Sequence, residues 1–238
     1  MRRIALMILR LFFRAPYYLF RVWRCGQTEK ISLEEGYRWC RFSTIKANKA
    51  GRVTIRTLGS ENIPKENGFV IFPNHQGLFD MLALLESNPT PFSFVIKKEV
   101  SKIFLLKQVI DATDSIAIDR EDLRQSMQVI HTMTAEVKKG RNFLIFAEGT
   151  RSRNGNHPGD FKGGSFKSAV RAQCPIVPCA LIDSFRPLDE ASAQPVTVTV
   201  HYLPPLYYEE YKEMHTTQIA EEVKRRIIEA IALEEKTD

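Results

Sequence analysis

Cysteine is scarce: Cys25, Cys40, Cys174 and Cys179 are the only four in 238 residues. That is too few for a disulfide scaffold. Their spacings, a C-x4-C included, match no zinc signature and have no histidine cluster beside them. Reduced structural thiols and a cytoplasmic setting are the expectation, with no metal. No Walker or G-x-G-x-x-G sequence occurs, which removes the usual nucleotide-binding loops. Long apolar runs are missing too. In the first 24 residues the longest uncharged stretches are six residues, far short of the ~20 a spanning helix needs. Those 24 residues also lack any acid or lysine while holding six arginines: Arg2, Arg3, Arg10, Arg14, Arg21 and Arg24. The whole chain has 34 basic and 28 acidic residues, so the rest carries 28 of each. A neutral body disfavours a surface that grips nucleic acid along its length, and no nucleic-acid partner is expected.

What is present is the composition of a globular chain, 44% hydrophobic and 26% charged, which excludes disorder for the bulk. The N-terminal segment MRRIALMILRLFFRAPYYLFRVWRC is interrupted by arginine throughout and has no small-residue cleavage site, unlike a signal peptide. On a helical wheel Arg3, Arg10, Arg14 and Arg21 fall within about 40° of one another, with Arg24 further round on the same side. Leu6, Leu9, Phe13 and Phe20 lie opposite, and Tyr17, Tyr18 and Trp23 are interface-type aromatics. An arginine stripe on an apolar helix predicts a helix lying in a membrane surface, its arginines meeting anionic lipid and Pro16 placing a kink. The bland alternative is a helix packed on the protein's own core.

Residues 33–48 read as a second helix, and Gly51 ends this N-terminal segment. Residues 1–50 are expected to associate with the membrane and 51–238 to form the main domain. There, VTIRTL (53–58) alternates like a half-buried strand. FVIFP (69–73) is a continuous apolar run suited to burial on both faces. Further strand-like runs occur at 92–96, 115–118, 142–146, 176–181 and 196–203. Helical patterns fall at 78–87, at 122–139 with Leu123, Met127, Ile130, Thr134 and Val137, and at 216–235 with Ile219, Val223, Ile227, Ala230 and Ile231. This alternation predicts an α/β fold, a mixed and largely parallel sheet flanked by helices, with the N-terminal helical segment appended.

Chemistry in such sheets collects beyond the carboxyl ends of strands, and two loops there stand out. NHQGLFD (74–80) follows the run 69–73. On a straight helix His75 and Asp80 would lie about 140° apart, so they meet only if the chain turns, and Gly77 supplies a flexible turn. An Asp on His Nδ1 fixes the tautomer and leaves Nε2 free to take a proton; by itself H-x4-D is weak evidence against a structural histidine. EGTRSRNG (148–155) follows 142–146. It sets a carboxylate, close backbone access, a hydroxyl and a guanidinium at Glu148, Gly149, Thr150 and Arg151, and an Arg fork suits phosphate. A polar turn with a local Glu–Arg pair is the competing reading.

NHQGLFD followed about 70 residues later by EGTRS resembles the glycerophospholipid acyltransferase family, in particular its bacterial members that acylate 1-acyl-glycerol-3-phosphate to phosphatidic acid. KKEV (97–100), SIAIDRED (115–122), FKGG (161–164) and IVPCAL (176–181) continue the likeness through most of residues 52–205. Two departures are Ala147, where the family usually has proline, and Gly77, where serine is frequent. The resemblance implies transfer of a fatty acyl group from a thioester, acyl-coenzyme A or acyl carrier protein, to the free hydroxyl of lysophosphatidic acid. His75 is then the general base, oriented by Asp80. Lys97, Arg120 and Arg151 hold the acceptor's phosphate, Thr150 and Glu148 position its glycerol part, and amides near Gly149 meet the oxyanion. No cofactor, metal or acyl-enzyme is implied, and the setting is the cytoplasmic face of a bacterial cell membrane. Competing readings are another lysophospholipid or glycerol-3-phosphate as acceptor, a serine hydrolase using Ser152 or Ser165, and a catalytically dead membrane-binding protein. Ser152 and Ser165 stand in no nucleophile-elbow pattern. His131 is read as helix-facing, and His157, His201 and His215 as surface or loop residues.

Overall fold

A computed structural model describes residues 2–28, 30–119 and 122–236. Three helices come first: α1 (Arg2–Leu11), α2 (Ala15–Gly26) and α3 (Leu33–Ala50). Pro16 sits in the first turn of α2, where its missing N–H costs nothing, so the N-terminal segment is two helices with a break at 12–14 rather than one kinked helix. Ser32 caps α3 by accepting the Glu35 amide, as its hydroxyl is suited to do. Then follow β1 (Val53–Leu58), β2 (Val70–Pro73), α4 (Asp80–Ser87), β3 (Ser93–Lys97), α5 (Phe104–Ala112), β4 (Ile116–Ile118), α6 (Leu123–Lys138), β5 (Phe143–Leu144), α7 (Lys167–Ala172), β6 (Ile176–Ile182), α8 (Arg186–Asp189), β7 (Val196–Tyr202), α9 (Tyr208–Tyr211) and α10 (Thr216–Glu234).

The strands form one sheet in the order β1-β7-β6-β2-β5-β3-β4. Every pairing is parallel except β6 with β7, so the mixed, largely parallel sheet expected from the alternation is what forms. β2 is its spine. Phe69, Val70, Ile71 and Phe72 are completely buried, and consecutive side chains point to opposite faces. Val70 and Phe72 join a core with Met133 of α6, Ala169 of α7 and Ile219, Val223 and Ile227 of α10. Phe69 and Ile71 join the other, with Tyr37 of α3, Leu84 of α4 and Ile110 of α5. A chain turn separates α3 from β1, yet Tyr37 is buried in this second core and donates to the Asn88 carbonyl at 2.8 Å. Residues 33–50 therefore pack as part of the domain body.

Helix positions follow from the strand order. From β2 the chain passes β5 to reach β3, with α4 on one face. From β5 it passes β2 to reach β6, with α7 on the other. Equal-handed crossovers in opposite directions put their helices on opposite faces. The loops leaving β2 and β5 thus diverge from adjacent strands, which opens a crevice at their carboxyl ends.

The arginine stripe is placed differently from the expectation. Arg3 is 2% exposed. Its guanidinium donates to the carbonyls of Pro187 at 2.9 Å, Gly51 at 2.5 Å and Gln194 at 2.8 Å. Arg10 donates to the Ala50 carbonyl at 3.1 Å, and Arg21 lies over the Trp39 ring and within 3.7 Å of Glu35. The carbonyls of Ala50 and Gly51 are those a helix leaves unpaired at its C-terminus, where positive charge is favoured. Half of the six arginines are thus spent on the protein itself, while Arg2, Arg14 and Arg24 stay exposed. The opposite, apolar side faces outward: Ile8, Leu9, Phe12, Phe13, Tyr17, Phe20 and Trp23 are all exposed, Phe13 to 92%. Among the described residues no helix is long and apolar enough to cross a membrane.

Candidate active site

Strand β2 delivers the segment 74–80 to the sheet's carboxyl edge, and alternation there separates structural from chemical side chains. Asn74 and Gln76 are buried and face β6. Asn74 exchanges hydrogen bonds with the Leu181 backbone, donating at 3.1 Å and accepting at 2.7 Å. Gln76 donates to the Leu181 carbonyl at 2.8 Å and accepts the Ser184 amide at 2.8 Å. Two amides acting as strand surrogates fix the loop and leave His75 on the other side, half-buried.

After Gly77 the chain turns so that Asp80, the first residue of α4, folds back under the loop. Its carboxylate is fully buried. Oδ2 lies 2.7 Å from His75 Nδ1 and accepts the amides of Gln76 at 2.7 Å and Gly77 at 3.1 Å. Oδ1 accepts the Ser184 hydroxyl at 2.7 Å. A buried carboxylate demands such donors, each worth about 1.5–3 kcal/mol to a charged acceptor. Because Oδ2 only accepts, His75 Nδ1 must carry the proton, and the Nε2 lone pair is left for chemistry. Among the described residues Nε2 has no protein partner. Phe146 stacks on the imidazole with centroids 4.0 Å apart and planes 22° apart, fixing the ring's plane.

Gly77 suits the turn by its small size, since α8 and the residue before it lie close. A Cβ there would come within 3.0 Å of the Phe185 Cα and 2.8 Å of an Asp189 carboxylate oxygen. α8 packs directly against the turn, so the serine frequent in the resembled family would have to displace the Asp189 side chain and press on the Phe185 backbone.

The loop after β5 locks onto the first. Glu148 is 3% exposed. One carboxylate oxygen accepts the His75 amide at 2.6 Å and the other the Gly159 amide at 2.8 Å. The Ser152 amide donates to the His75 carbonyl at 2.8 Å. Burial raises the Glu148 pKa above the ordinary carboxylate range, with the two amides pulling the other way. With one amide on each oxygen, Glu148 joins the two loops. Gly149 takes φ 75°, a conformation that favours glycine. Its own amide is used by the Phe146 carbonyl at 3.1 Å. The next two amides, of Thr150 and Arg151, have no acceptor among the described residues.

Thr150 is exposed, and Arg151 is half-buried with a guanidinium nitrogen 4.0 Å from Asp189. Lys97 ends β3, one strand beyond β5 at the same edge of the sheet. Its ammonium pairs with Glu99 at 3.5 Å and is half-exposed. Arg120 lies outside the described residues. His201 is not a surface loop residue: it stands in β7, half-buried, 3.9 Å from Glu234, and burial lowers its pKa. Ser165 donates weakly to the Ala147 carbonyl. All four cysteines are free and buried, and burial pushes the Cys40 and Cys174 thiols up to about 12, which makes them inert packing groups.

Sequence reasoning missed Ser184, Phe146, Asn74 and Gln76. The pair Asn74 and Gln76 carried a signal: two amides flanking His75, where the strand would otherwise continue apolar, mark backbone-like pinning. Ser184 carried none, because it meets Asp80 across 104 residues of chain.

The pattern of the family described as Acyltransferase matches residues 54–182. A probable 1-acyl-sn-glycerol-3-phosphate acyltransferase of Mycoplasma genitalium is 30% identical over 190 residues, covering 71% of this chain and 67% of the relative. A 1-acyl-sn-glycerol-3-phosphate acyltransferase of Helicobacter pylori is 31% identical over 154 residues, 60% of this chain and 65% of the relative. Across these and the related proteins of Mycoplasma pneumoniae and Borreliella burgdorferi, the match spans between 50% and 67% of the relative's length. The fold matches the crystal structure of the 1-acyl-sn-glycerophosphate (LPA) acyltransferase PlsC from Thermotoga maritima, with a TM-score of 0.73 over 96% of both chains at 24% identity.

Proposed function

The chain belongs to the acyltransferase family, and from that premise we propose that it is a 1-acyl-sn-glycerol-3-phosphate O-acyltransferase, converting lysophosphatidic acid and an acyl thioester to phosphatidic acid. The observation that carries the reading is the 2.7 Å contact of His75 Nδ1 with the buried Asp80 carboxylate, which leaves Nε2 of the half-buried imidazole without a partner among the described residues.

Nε2 removes the proton from the acceptor's hydroxyl as its oxygen attacks the thioester carbonyl. The new C–O bond gives a tetrahedral oxyanion, and the unpaired amides of Thr150 and Arg151 are the donors nearest in sequence to take it. The intermediate then collapses by breaking the C–S bond, and the leaving thiolate takes the proton back from the imidazolium. Asp80 compensates the imidazolium charge throughout. Attack is direct, so no acyl-enzyme forms and no cofactor takes part; acyl-coenzyme A or acyl carrier protein serves as donor. Arg151 and Lys97 hold the acceptor's phosphate together with Arg120. Thr150 helps to position the glycerol part, while Glu148 acts by holding the histidine loop against the arginine loop.

The lipid acceptor accounts for the outward apolar face of α1 and α2. That face rests the enzyme on the membrane surface, on the cytoplasmic side of a bacterial cell. The arginines that fasten α1 and α2 to the body transmit this placement to the domain.

Purified protein assayed with one acyl thioester and a panel of acceptors tests the reading. Lysophosphatidic acid is expected to react fastest, ahead of glycerol-3-phosphate and other lysophospholipids, with phosphate-free monoacylglycerol slowest. Equal rates with and without the phosphate would refute the roles of Arg151, Lys97 and Arg120. No transfer to any acceptor would refute the enzymatic reading.

A further inference from the structure

The outward faces of α1 and α2 are not the whole of the molecule's exposed apolar surface. Beyond β3 the chain runs through a short 3-10 turn, Val100–Lys102, into α5. Three consecutive large residues there, Ile103, Phe104 and Leu105, are each at least half exposed, Phe104 to 71%. A contiguous apolar triplet open to solvent marks an interaction surface rather than chance exposure. The other end of α5 is occupied: Val109 and Ala112 pack with Val22 and Cys25 of α2, and Gly26 approaches Asp111 closely. The helix is thus anchored at its C-terminal half and presents its N-terminal half.

Three further observations identify what covers it. First, charge: residues 97–107 contain Lys97, Lys98, Lys102 and Lys107 against a single acid, Glu99. All four lysines are exposed. Lys97, Lys98 and Lys107 have acidic neighbours in Glu99, Asp119 and Asp111 at 3.5, 3.8 and 2.6 Å. Lys102 beside the triplet has none among the described residues, and its ammonium next to apolar side chains suits anionic lipid. Second, continuity: α5 packs on α2, whose Phe20 and Trp23 are themselves exposed. Third, location: the segment leaves the sheet at the end of β3, the edge that carries His75 and Glu148, and Leu78 in the histidine loop is also exposed.

We propose that residues 100–105 form a second membrane-docking element, separate from the N-terminal helices, which seats the mouth of the crevice against anionic bilayer. Two contacts on different elements fix an orientation that one amphipathic pair cannot, so the acceptor reaches His75 without leaving the lipid. The inference rests on the reading of the chain as an enzyme whose acceptor is a membrane lipid.

The test uses the full chain carrying I103S, F104S and L105S together. These side chains are solvent-exposed, and F104S alone serves should the triple variant lose its fold by circular dichroism. Sedimentation with phosphatidylglycerol–phosphatidylcholine vesicles reads docking. Rates are measured with long-chain lysophosphatidic acid in those vesicles, and with a short-chain lysophosphatidic acid dissolved below its micelle concentration. The expected result is vesicle binding weakened about tenfold or more, a comparable fall in the vesicle rate, and an unchanged rate on the dissolved acceptor. Unchanged vesicle binding would overturn the proposal. So would a rate loss confined to acyl carrier protein as donor with vesicle binding intact, which would make the patch a carrier-protein site. An inactive wild-type chain that still shows the binding difference would strike the enzymatic reading alone.

Discussion

The catalytic edge and the N-terminal helices each bury a charged side chain, and they do so for opposite reasons. At the edge, Asp80 gathers backbone amides and the Ser184 hydroxyl, yet still turns one oxygen to His75. In the proposed reaction its burial serves chemistry, because the carboxylate would compensate the imidazolium. In the N-terminal segment, Arg3 spends its donors on the carbonyls of Pro187, Gly51 and Gln194. Its burial is purely a fastening, tying α1 to the end of α3 and to α8. A buried charge is therefore not in itself a sign of function; what decides is whether a partner remains that can change its protonation state.

This contrast can be broken by substitution. The largest effect is expected at Asp80→Asn. The amide would set an N–H against the amides of Gln76 and Gly77 or against His75 Nδ1, disturbing tautomer and orientation together. A fall of about 10² to 10⁴ in kcat is expected, the span general-base catalysis supplies, with the thermal midpoint lowered as well. Near-normal kcat would show that Asp80 is structural like Arg3.

Arg3→Ala should give the reverse pattern. Two buried carbonyls and one part-buried carbonyl lose their donor, and a loss of about 3 kcal/mol in unfolding free energy is expected from urea titration. Rates on dissolved acceptor should stay within about twofold once the protein is folded, since chemistry is untouched. A large loss of kcat at unchanged stability would mean that α1 acts on the active site through α8.

The smallest effect is expected on α10, away from both regions, where the surface cluster of half-buried Glu222 and Arg226 with exposed Arg225 serves as a reference. Hydrogen bonds from the two arginines lower the Glu222 pKa to about 2. A depressed carboxylate contributes stability above its unfolded pKa and loses it as pH falls through the folded one. Wild type and Glu222→Gln should therefore differ slightly in thermal midpoint at pH 6, and the difference should vanish as pH drops from about 4.5 toward 2. A difference that grows on acidification would reverse the assigned sign.

The two regions also differed in how far their sequences could be read. His75 and Asp80 were singled out by the family resemblance that NHQGLFD and EGTRS carry together; the apolar strand placed their loop, but the five-residue spacing alone was weak evidence against a structural histidine. The EGTRS segment was legible by residue type, but the loop-joining contacts of Glu148 were not: no local pattern shows that its oxygens accept amides 73 and 11 residues away. Phe146 and Ser184 stayed invisible for the same reason. In the N-terminal helices, periodicity identified the arginine stripe and the apolar face correctly. It could not say which side turns inward, because that depends on the unpaired carbonyls ending α3, a feature of tertiary packing. Charge counting alone assigned all six arginines to lipid, whereas Arg3 and Arg10 meet peptide carbonyls and Arg21 meets Trp39 and Glu35.

The central claim is that His75 Nε2 is the base that makes the acceptor's hydroxyl a nucleophile. It is tested most directly by initial rates of phosphatidic acid formation from lysophosphatidic acid and an acyl thioester, comparing wild type with His75→Ala at equal folded concentration. The account predicts a loss of at least about 10² in kcat, with vesicle binding and the circular dichroism spectrum unchanged. Retention of substantial turnover in that variant would contradict it.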